Sequence, residues 1–388
     1  MVQYSNCIGC QACVDFCPQK AISFQYDNWG EGRAFVDFSL CSDCHLCEIR
    51  CPSLNIKFNP SVKTVFAAYS TKHRETGSSG GIFYELAVKF INRGGVVFGA
   101  QFDPNLKLIH KKAEKISELV SLCKSKYLHS DMTGIYNEIA ACLKKGINVM
   151  FVGTPCQVSA VKNTFLKYSD QLLLIDFLCH GTGTQKCFDM CIADAQKKEK
   201  GKIIDFTFRA KTRNAEHSFK YVILQDDKLK NVTGYSFEFP YYYSYLKYCI
   251  FNDACYECQY ARQERVGDIT LGDFWGITKY NKGLKDIKGV SMLSVNTEKG
   301  HAAVEEIREG CRFFEYPIEY ASVNNEAFRT CVSVHCREKK RELAEILDKY
   351  GESALVKELT CAKIKKELLY AATPAFVKKL WNRIRGRT

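Results

Sequence analysis

Beyond residue 60 the chain alternates between short apolar runs and segments with helical spacing. Residues 65–69, 96–102, 147–152 and 172–178 are apolar runs of strand length, and each reads as a buried strand. Ile82, Phe83, Leu86, Ala87, Phe90 and Ile91 recur on one face, which predicts an amphipathic helix stopped by Gly94 and Gly95. Residues 116–122, 135–143 and 158–165 also read as helices, the second closed by Lys144, Lys145 and Gly146. Helix and strand in alternation imply parallel strands with crossover helices. Residues 203–209, 219–224 and 232–237 read instead as strands separated by polar turns, an antiparallel addition. Residues 241–251 read as an aromatic helix, 289–296 as a strand and 300–309 as a helix, and from about residue 334 the chain is helical and charged.

The first 58 residues follow another rule. Cys7, Cys10, Cys13 and Cys17 precede Pro18, and Cys41, Cys44, Cys47 and Cys51 precede Pro52. Both runs have the C-x-x-C-x-x-C-x-x-x-C-P spacing of bacterial ferredoxins, in which three cysteines hold one 4Fe–4S cluster and the fourth crosses to the other. That spacing pairs Cys7, Cys10, Cys13 and Cys51 at one cluster, and Cys41, Cys44, Cys47 and Cys17 at the second. A disulfide framework suits a small secreted domain, and zinc sites use paired C-x-x-C units, so neither fits these runs.

Composition narrows the class. A chain of 388 residues, 46% hydrophobic and 25% charged, is long for one domain and ordinary for a globular protein. It holds no apolar run of spanning length, and its first residues lack a secretory pattern. Twenty-one cysteines without an export signal point to a reducing compartment and metal ligation, hence a cytoplasmic protein. The net charge of +12 is uneven: residues 361–388 carry eight Lys or Arg against Glu367 alone. No basic module interleaved with aromatics is present, so nucleic acid is not expected as a partner. From Pro374, the residues Phe376, Val377, Leu380, Trp381 and Ile384 form an apolar stripe with Lys378, Lys379, Arg383 and Arg385 around it. Such a helix suits peripheral contact with an anionic membrane at its inner face, a partner groove, or docking on its own domain.

Chemistry is expected at the ends of the strands. Open α/β sheets bind ligands beyond the carboxyl ends of their strands, and Cys156 and Cys179 each follow such an end. Gly77, Ser78, Ser79, Gly80 and Gly81 precede a helix, where open backbone N–H groups and the helix dipole favour an anion. The same residues equally suit a helix cap with glycines for tight packing.

Six motifs stand in one order: Gly77–Gly81, Ser125–Tyr127, Gly153–Gln157, Cys179–Gly181, Cys255–Cys258 and Gly267–Gly276. Together they resemble the beta subunit family of coenzyme F420 hydrogenases and dehydrogenases, over roughly residues 1–320, with a fused ferredoxin head. The resemblance implies an α/β flavoprotein core, a bound FAD, and at least one iron–sulfur cluster beside it. Cys156, Cys179, Cys255 and Cys258 lie inside these motifs and would supply the four thiolates of a third 4Fe–4S cluster, with Cys249 a spare. For the flavin, Ser78, Ser79, Gly80 and Gly81 are expected at the pyrophosphate, with Lys126 and Thr154 as donors to phosphate or ring. Arg265, Asp268 and Asp273 would organise the crevice or form buried ion pairs. His180 is the candidate catalytic residue, as a proton shuttle. Cys123, Cys142, Cys187, Cys191, Cys311, Cys331, Cys336 and Cys361 have no partner at ligand spacing and read as packing or surface thiols.

The expected architecture is a multidomain α+β and α/β chain. A ferredoxin-like head spans 1–58, an α/β flavoprotein core with added antiparallel strands spans 64–145 and 146–320, and a basic helical tail spans 335–388. The expected function is a flavin-dependent iron–sulfur oxidoreductase moving electrons between 4Fe–4S clusters and a two-electron carrier or organic substrate. Its partners would be a redox protein or small carrier: ferredoxin, NAD(P)H or a deazaflavin. A second reading is a non-catalytic electron-transfer subunit of a larger redox complex, with a link to polysaccharide biosynthesis. A third is a scaffold that has lost its flavin.

Overall fold

A computed structural model describes residues 2–3, 6–212, 216–284, 288–332, 334–362 and 364–373. In the head, β1 (Val2–Gln3), β2 (Ile22–Tyr26) and β3 (Gly32–Val36) form an antiparallel sheet in the order β1-β3-β2. Two single-turn helices, α1 (Ala12–Phe16) and α2 (Leu46–Arg50), begin after Gln11 and His45, both left-handed with φ of 63° and 56°. The two cysteine runs therefore share one local geometry, each with a left-handed residue just after its second cysteine.

The centre of the chain is an eight-stranded sheet. It contains β4 (Thr64–Ser70), β5 (Val96–Phe102), β6 (Leu108–Ala113), β7 (Val149–Gly153) and β8 (Leu172–Phe177). A separate antiparallel sheet follows: β9 (Lys202–Phe208), β10 (Ser218–Gln225) and β11 (Lys228–Tyr235). The large sheet is completed by β12 (Ile269–Asp273), β13 (Ser291–Val295) and β14 (Cys311–Pro317), in the order β14-β4-β13-β12-β8-β7-β5-β6. Strands β12, β8, β7 and β5 pair in parallel. Strand β4 runs in their direction too, although antiparallel β13 stands between it and β12. The four strands expected to be parallel thus share one direction, and antiparallel β6, β13 and β14 make the sheet mixed. Asp103–Lys107 makes a hairpin turn between β5 and β6, with Leu106 left-handed, and a hairpin returns antiparallel without a crossover.

Connecting helices cover both faces. They are α3 (Ile82–Asn92), α4 (Leu119–Leu122), α5 (Ile135–Lys144), α6 (Pro155–Thr164), α7 (Gln185–Glu199), α8 (Pro240–Leu246) and α9 (Glu298–Glu305). Along β7 the side chains alternate faces. Phe151 joins Ile135, Ile139 and Val158 on one side, and Met150 joins Ile82, Leu86 and Ile269 on the other. The head docks on the first face, where Cys10 and Ala12 share the cluster of α5 and α6. The aromatic helix expected over 241–251 stops at Leu246. Tyr248 is left-handed at φ 59° and the Cys249 N–H turns back to Ser244 O at 3.3 Å.

Three more helices follow the short α10 (Ile318–Ser322): α11 (Val334–Tyr350), α12 (Glu352–Leu359) and α13 (Ile364–Ala372). Leu343, Leu347, Leu355, Val356 and Leu359 are buried against the antiparallel sheet and α7. These residues therefore form part of the body rather than a free tail. Lys340 of α11 is buried with its Nζ donating to Glu31 Oε2 at 2.9 Å and Asp253 Oδ1 at 2.7 Å, which ties the head hairpin to the chain before Cys255. Lys340→Met removes the nearest cation from Glu31, whose side chain is 7% exposed and keeps Arg33 at 3.6 Å, so a loss of about 1–3 kcal/mol is expected. Thermal denaturation of the anaerobic protein reads this as a lowered midpoint, and an unchanged midpoint contradicts it. The amphipathic stripe expected from Pro374 onward lies outside the described residues. No described helix is long and apolar enough to cross a membrane.

Candidate functional site

The head encloses two small chambers. One, of about 110 Å³, is lined by Cys7, Cys10, Cys13 and Cys51, with Cys47 at its edge. The other, of about 160 Å³, is lined by Cys17, Cys41, Cys44 and Cys47. Each chamber receives a cysteine from the other run, because the chain turns at Cys17 and Cys51, both extended residues that end the short helices. Ala21 N donates to Cys17 Sγ at 3.2 Å and Asp43 N to Cys41 Sγ at 3.4 Å. Burial pushes the Cys13 thiol up to about 12, and Cys7, Cys51 and Cys47 raise it further. Cys10 is buried, whereas Cys44 is exposed.

A larger cavity, of about 580 Å³, opens at the carboxyl edge of the main sheet. Thr154 ends β7 and caps α6, its N–H donating to Gln157 Oε1 at 3.2 Å, and Pro155 opens the helix, so Cys156 sits in the first turn. Cys179 follows the end of β8, and Cys255 and Cys258 flank a short turn over Asp253–Glu257. All four line this cavity, together with His129, His180 and Tyr260. Burial raises Cys156 to about 11, and Cys255, Cys156 and Cys258 add to the burial that raises Cys179. The four thiols thus lie within one another's field, though they come from three distant stretches of chain. Among the described residues no three His, Cys, Asp or Glu converge on a single ion. Cubane ligands stand farther apart, each on its own iron.

Two cysteines without ligand spacing also reach this cavity. Cys331 and Cys336 lie on its wall, and Cys331 Sγ donates to Tyr256 O at 3.2 Å, inside the Cys255–Cys258 turn. Cys249 does not reach it. Its thiol is buried among the aromatics of α8 and donates to Ser244 O at 3.4 Å, which removes it as the spare ligand. Thr154 Oγ1 lies 3.1 Å from Cys156 Sγ, so this hydroxyl faces the thiols.

The Ser78–Gly81 loop lies farther along the same sheet edge. A Cβ on Gly80 would stand 2.2 Å from Ala68 O, and Gly81 has φ 82°, so close backbone packing accounts for both glycines. Ser78 Oγ accepts from Ser125 N at 2.7 Å, and Gly80 N donates to Ser291 Oγ at 2.9 Å. Cations surround the loop. Arg209 donates to Ser78 O at 3.4 Å, and Lys211 donates to Gly77 O at 3.2 Å and Ser79 O at 3.5 Å. Burial brings Lys211 down to about 8. Ser79 Oγ, Arg209 Nε and Thr212 Oγ1 are buried here with no hydrogen-bond partner among the described residues. Lys126 is buried and held near 7 by desolvation, and its Nζ donates to Cys123 O at 2.6 Å rather than into the cysteine cavity.

Asp273 joins the two regions. It binds Arg209 at 2.6 Å, and together with Glu326 it partly offsets the burial that lowers His180. His180 therefore sits neutral on the cysteine cavity wall, stacked on Tyr248 at 6.3 Å. Arg265 and Asp268 form structural contacts instead. Arg265 pairs with Asp176 at 3.2 Å, and Asp268 accepts from Leu174 N and Thr297 Oγ1, both at 2.8 Å.

Residues 147–319 match the family described as the C terminus of the beta subunit of coenzyme F420 hydrogenase/dehydrogenase, and residues 6–55 match the 4Fe–4S dicluster domain. Over residues 147–319 the chain belongs to the coenzyme F420 hydrogenase/dehydrogenase beta subunit family. It is an oxidoreductase of that family, with a head of the iron–sulfur dicluster class. The head is similar to an uncharacterized ferredoxin of Methanocaldococcus jannaschii, 36% identical over 53 residues, which are 14% of this chain and 68% of the relative. Among solved structures, the F420-reducing NiFe hydrogenase complex of Methanosarcina barkeri has a chain 18% identical. That match covers 75% of this chain and 93% of the other at a TM-score of 0.46, too distant a likeness to place any residue.

Proposed function

We propose that this chain is a flavin-dependent oxidoreductase in which two head clusters exchange electrons with a third cluster beside an FAD. The ligands would be Cys7, Cys10, Cys13 and Cys51 for the first cluster and Cys17, Cys41, Cys44 and Cys47 for the second. Cys156, Cys179, Cys255 and Cys258 would hold the third. The observation that carries the reading is the convergence of those last four thiols on one cavity at the carboxyl edge of the sheet. In domain terms, a ferredoxin unit at 1–58 feeds a core at 64–145 and 146–320, and helices from 335 onward brace the two.

FAD, when bound, supplies the exchange between one-electron and two-electron chemistry. The residues fit its phosphates at the Ser78–Gly81 loop, where Arg209 and Lys211 bring charge and the hydroxyls of Ser79 and Thr212 have no partner among the described residues. Asp273, which pairs with Arg209 beside the loop, also acts on His180, whose imidazole would take up or release a proton at the ring end. Lys126 serves this region indirectly, by fixing the turn after α4. The two-electron partner is a small carrier such as NAD(P)H or a deazaflavin, or an organic substrate. Ferredoxin or another redox protein serves the head.

Acid release of cofactor from anaerobically purified protein tests this reading: about one FAD per chain is expected. A flavin-free protein with full iron content overturns the flavin and leaves an electron-transfer subunit. Thr154 gives a finer prediction. Thr154 Oγ1 donates to Gln157 Oε1 at 3.1 Å and lies 3.1 Å from Cys156 Sγ. Turned onto a cluster sulfur, this hydroxyl would favour the reduced state, so Thr154→Ala should shift the third centre's potential in the negative direction, with Thr154→Ser near wild type. An EPR-monitored titration reads the midpoint, and an unchanged value in the alanine variant contradicts it.

A further inference from the structure

The first head chamber and the cysteine cavity share a wall. Tyr260 is 5% exposed and lines the cavity, yet its hydroxyl donates to Pro52 O at 2.7 Å, the residue after Cys51. Its ring packs edge-on to Phe58 at 6.0 Å and shares one apolar cluster with Cys10, Cys156 and Cys258. Burial holds the phenol protonated, and Cys156, Cys10 and Cys258 all act on it, so one side chain lies in the field of thiols from both chambers. A second contact runs alongside. His129 Nε2 meets Gly9 O at 3.2 Å, its Nδ1 meets Thr182 Oγ1 at 3.4 Å, and that hydroxyl lies 3.9 Å from Cys255 Sγ.

The second head chamber takes part in neither contact. Cys44 is exposed there, and Phe38 and Leu40 beside Cys41 are 60% and 55% exposed. The head therefore has an inner chamber packed on the core and an outer one open to a partner.

We propose that Tyr260 is the positioning residue that fixes the gap between the inner head site and the cysteine cavity. Electrons then enter at the outer site of Cys17, Cys41, Cys44 and Cys47 and move inward through the site of Cys7, Cys10, Cys13 and Cys51. This rests on the cluster assignments proposed above. Each transfer is one electron: the donor centre is oxidised by one, the acceptor reduced by one, and no bond or proton moves. Tunnelling weakens steeply across an unfilled gap, and a packed aromatic side chain keeps this one short and filled.

The test uses the full chain, assembled anaerobically, reduced with dithionite and followed by freeze-quench EPR. Tyr260→Ala should slow the appearance of the third-centre signal about tenfold or more, as small displacements of reacting centres do. The head signals should appear at the wild-type rate and the iron content should hold. Tyr260→Phe keeps the ring and should stay within about twofold of wild type. Unchanged arrival in Tyr260→Ala overturns the proposal. Independently of any variant, pulsed EPR on the reduced wild type should place the third centre nearer the inner head centre than the outer, and the reverse order also overturns it. A wild type with no third-centre signal overturns the cluster assignment instead, whatever the variants do.

Discussion

Replacing Cys179 by alanine is expected to remove one of three EPR-active centres and reduce the iron content from about twelve to about eight per chain. The thiol is buried at the end of β8, and Cys255, Cys156 and Cys258 all bear on its ionisation, so it stands at the centre of the group. Three remaining thiolates leave one iron of a cubane without a protein ligand. Cys331→Ala is the matched control. Its thiol is on the same cavity wall but is engaged with Tyr256 O, and the iron content should stay near about twelve. Loss of about four irons from Cys331→Ala, with none lost from Cys179→Ala, would reassign the ligand set.

The second large effect is on stability. Arg265→Leu should lower unfolding free energy by about 3–5 kcal/mol, because it strands the Asp176 carboxylate. The Arg265 and Asp176 side chains are 2% and 0% exposed, and Asp176 also accepts from Val266 N and Gly267 N. That pair holds the chain after the Cys255–Cys258 turn against β8, so it would position the proposed ligands without touching them. Adding Asp176→Asn to Arg265→Leu should recover part of the loss, since the amide oxygen can still accept from Val266 N and Gly267 N and no buried charge stands alone. Anaerobic denaturant titration measures this, and a single variant as stable as wild type contradicts it.

How far the sequence carried these conclusions depends on what each feature needs. The head cysteines were legible because their spacing is local, and a left-handed residue after the second cysteine of each run follows from the same spacing. The strand ends that bear Cys156 and Cys179 were legible as apolar runs. The placement of β13 between β4 and β12 was not, since strand order is set by long-range pairing that no local pattern encodes. Tyr248 ended the aromatic helix by a backbone conformation its residue type does not advertise. Cys331, Cys336, His129 and Tyr260 reach the cavity from loops and a helix start far apart in sequence, so spacing gave no signal for them. The glycines at 80 and 81 show the reverse case. They looked equally suited to phosphate or to packing, and packing accounts for them, which leaves Arg209, Lys211 and the unpartnered hydroxyls as the support for an anion.

An anaerobic reductive titration counts every redox centre at once. A chain holding three 4Fe–4S clusters and one FAD accepts about five electrons, one for each cluster and two for the flavin. An end point at about two electrons would mean that only the head is loaded, and would contradict both the third cluster and the flavin.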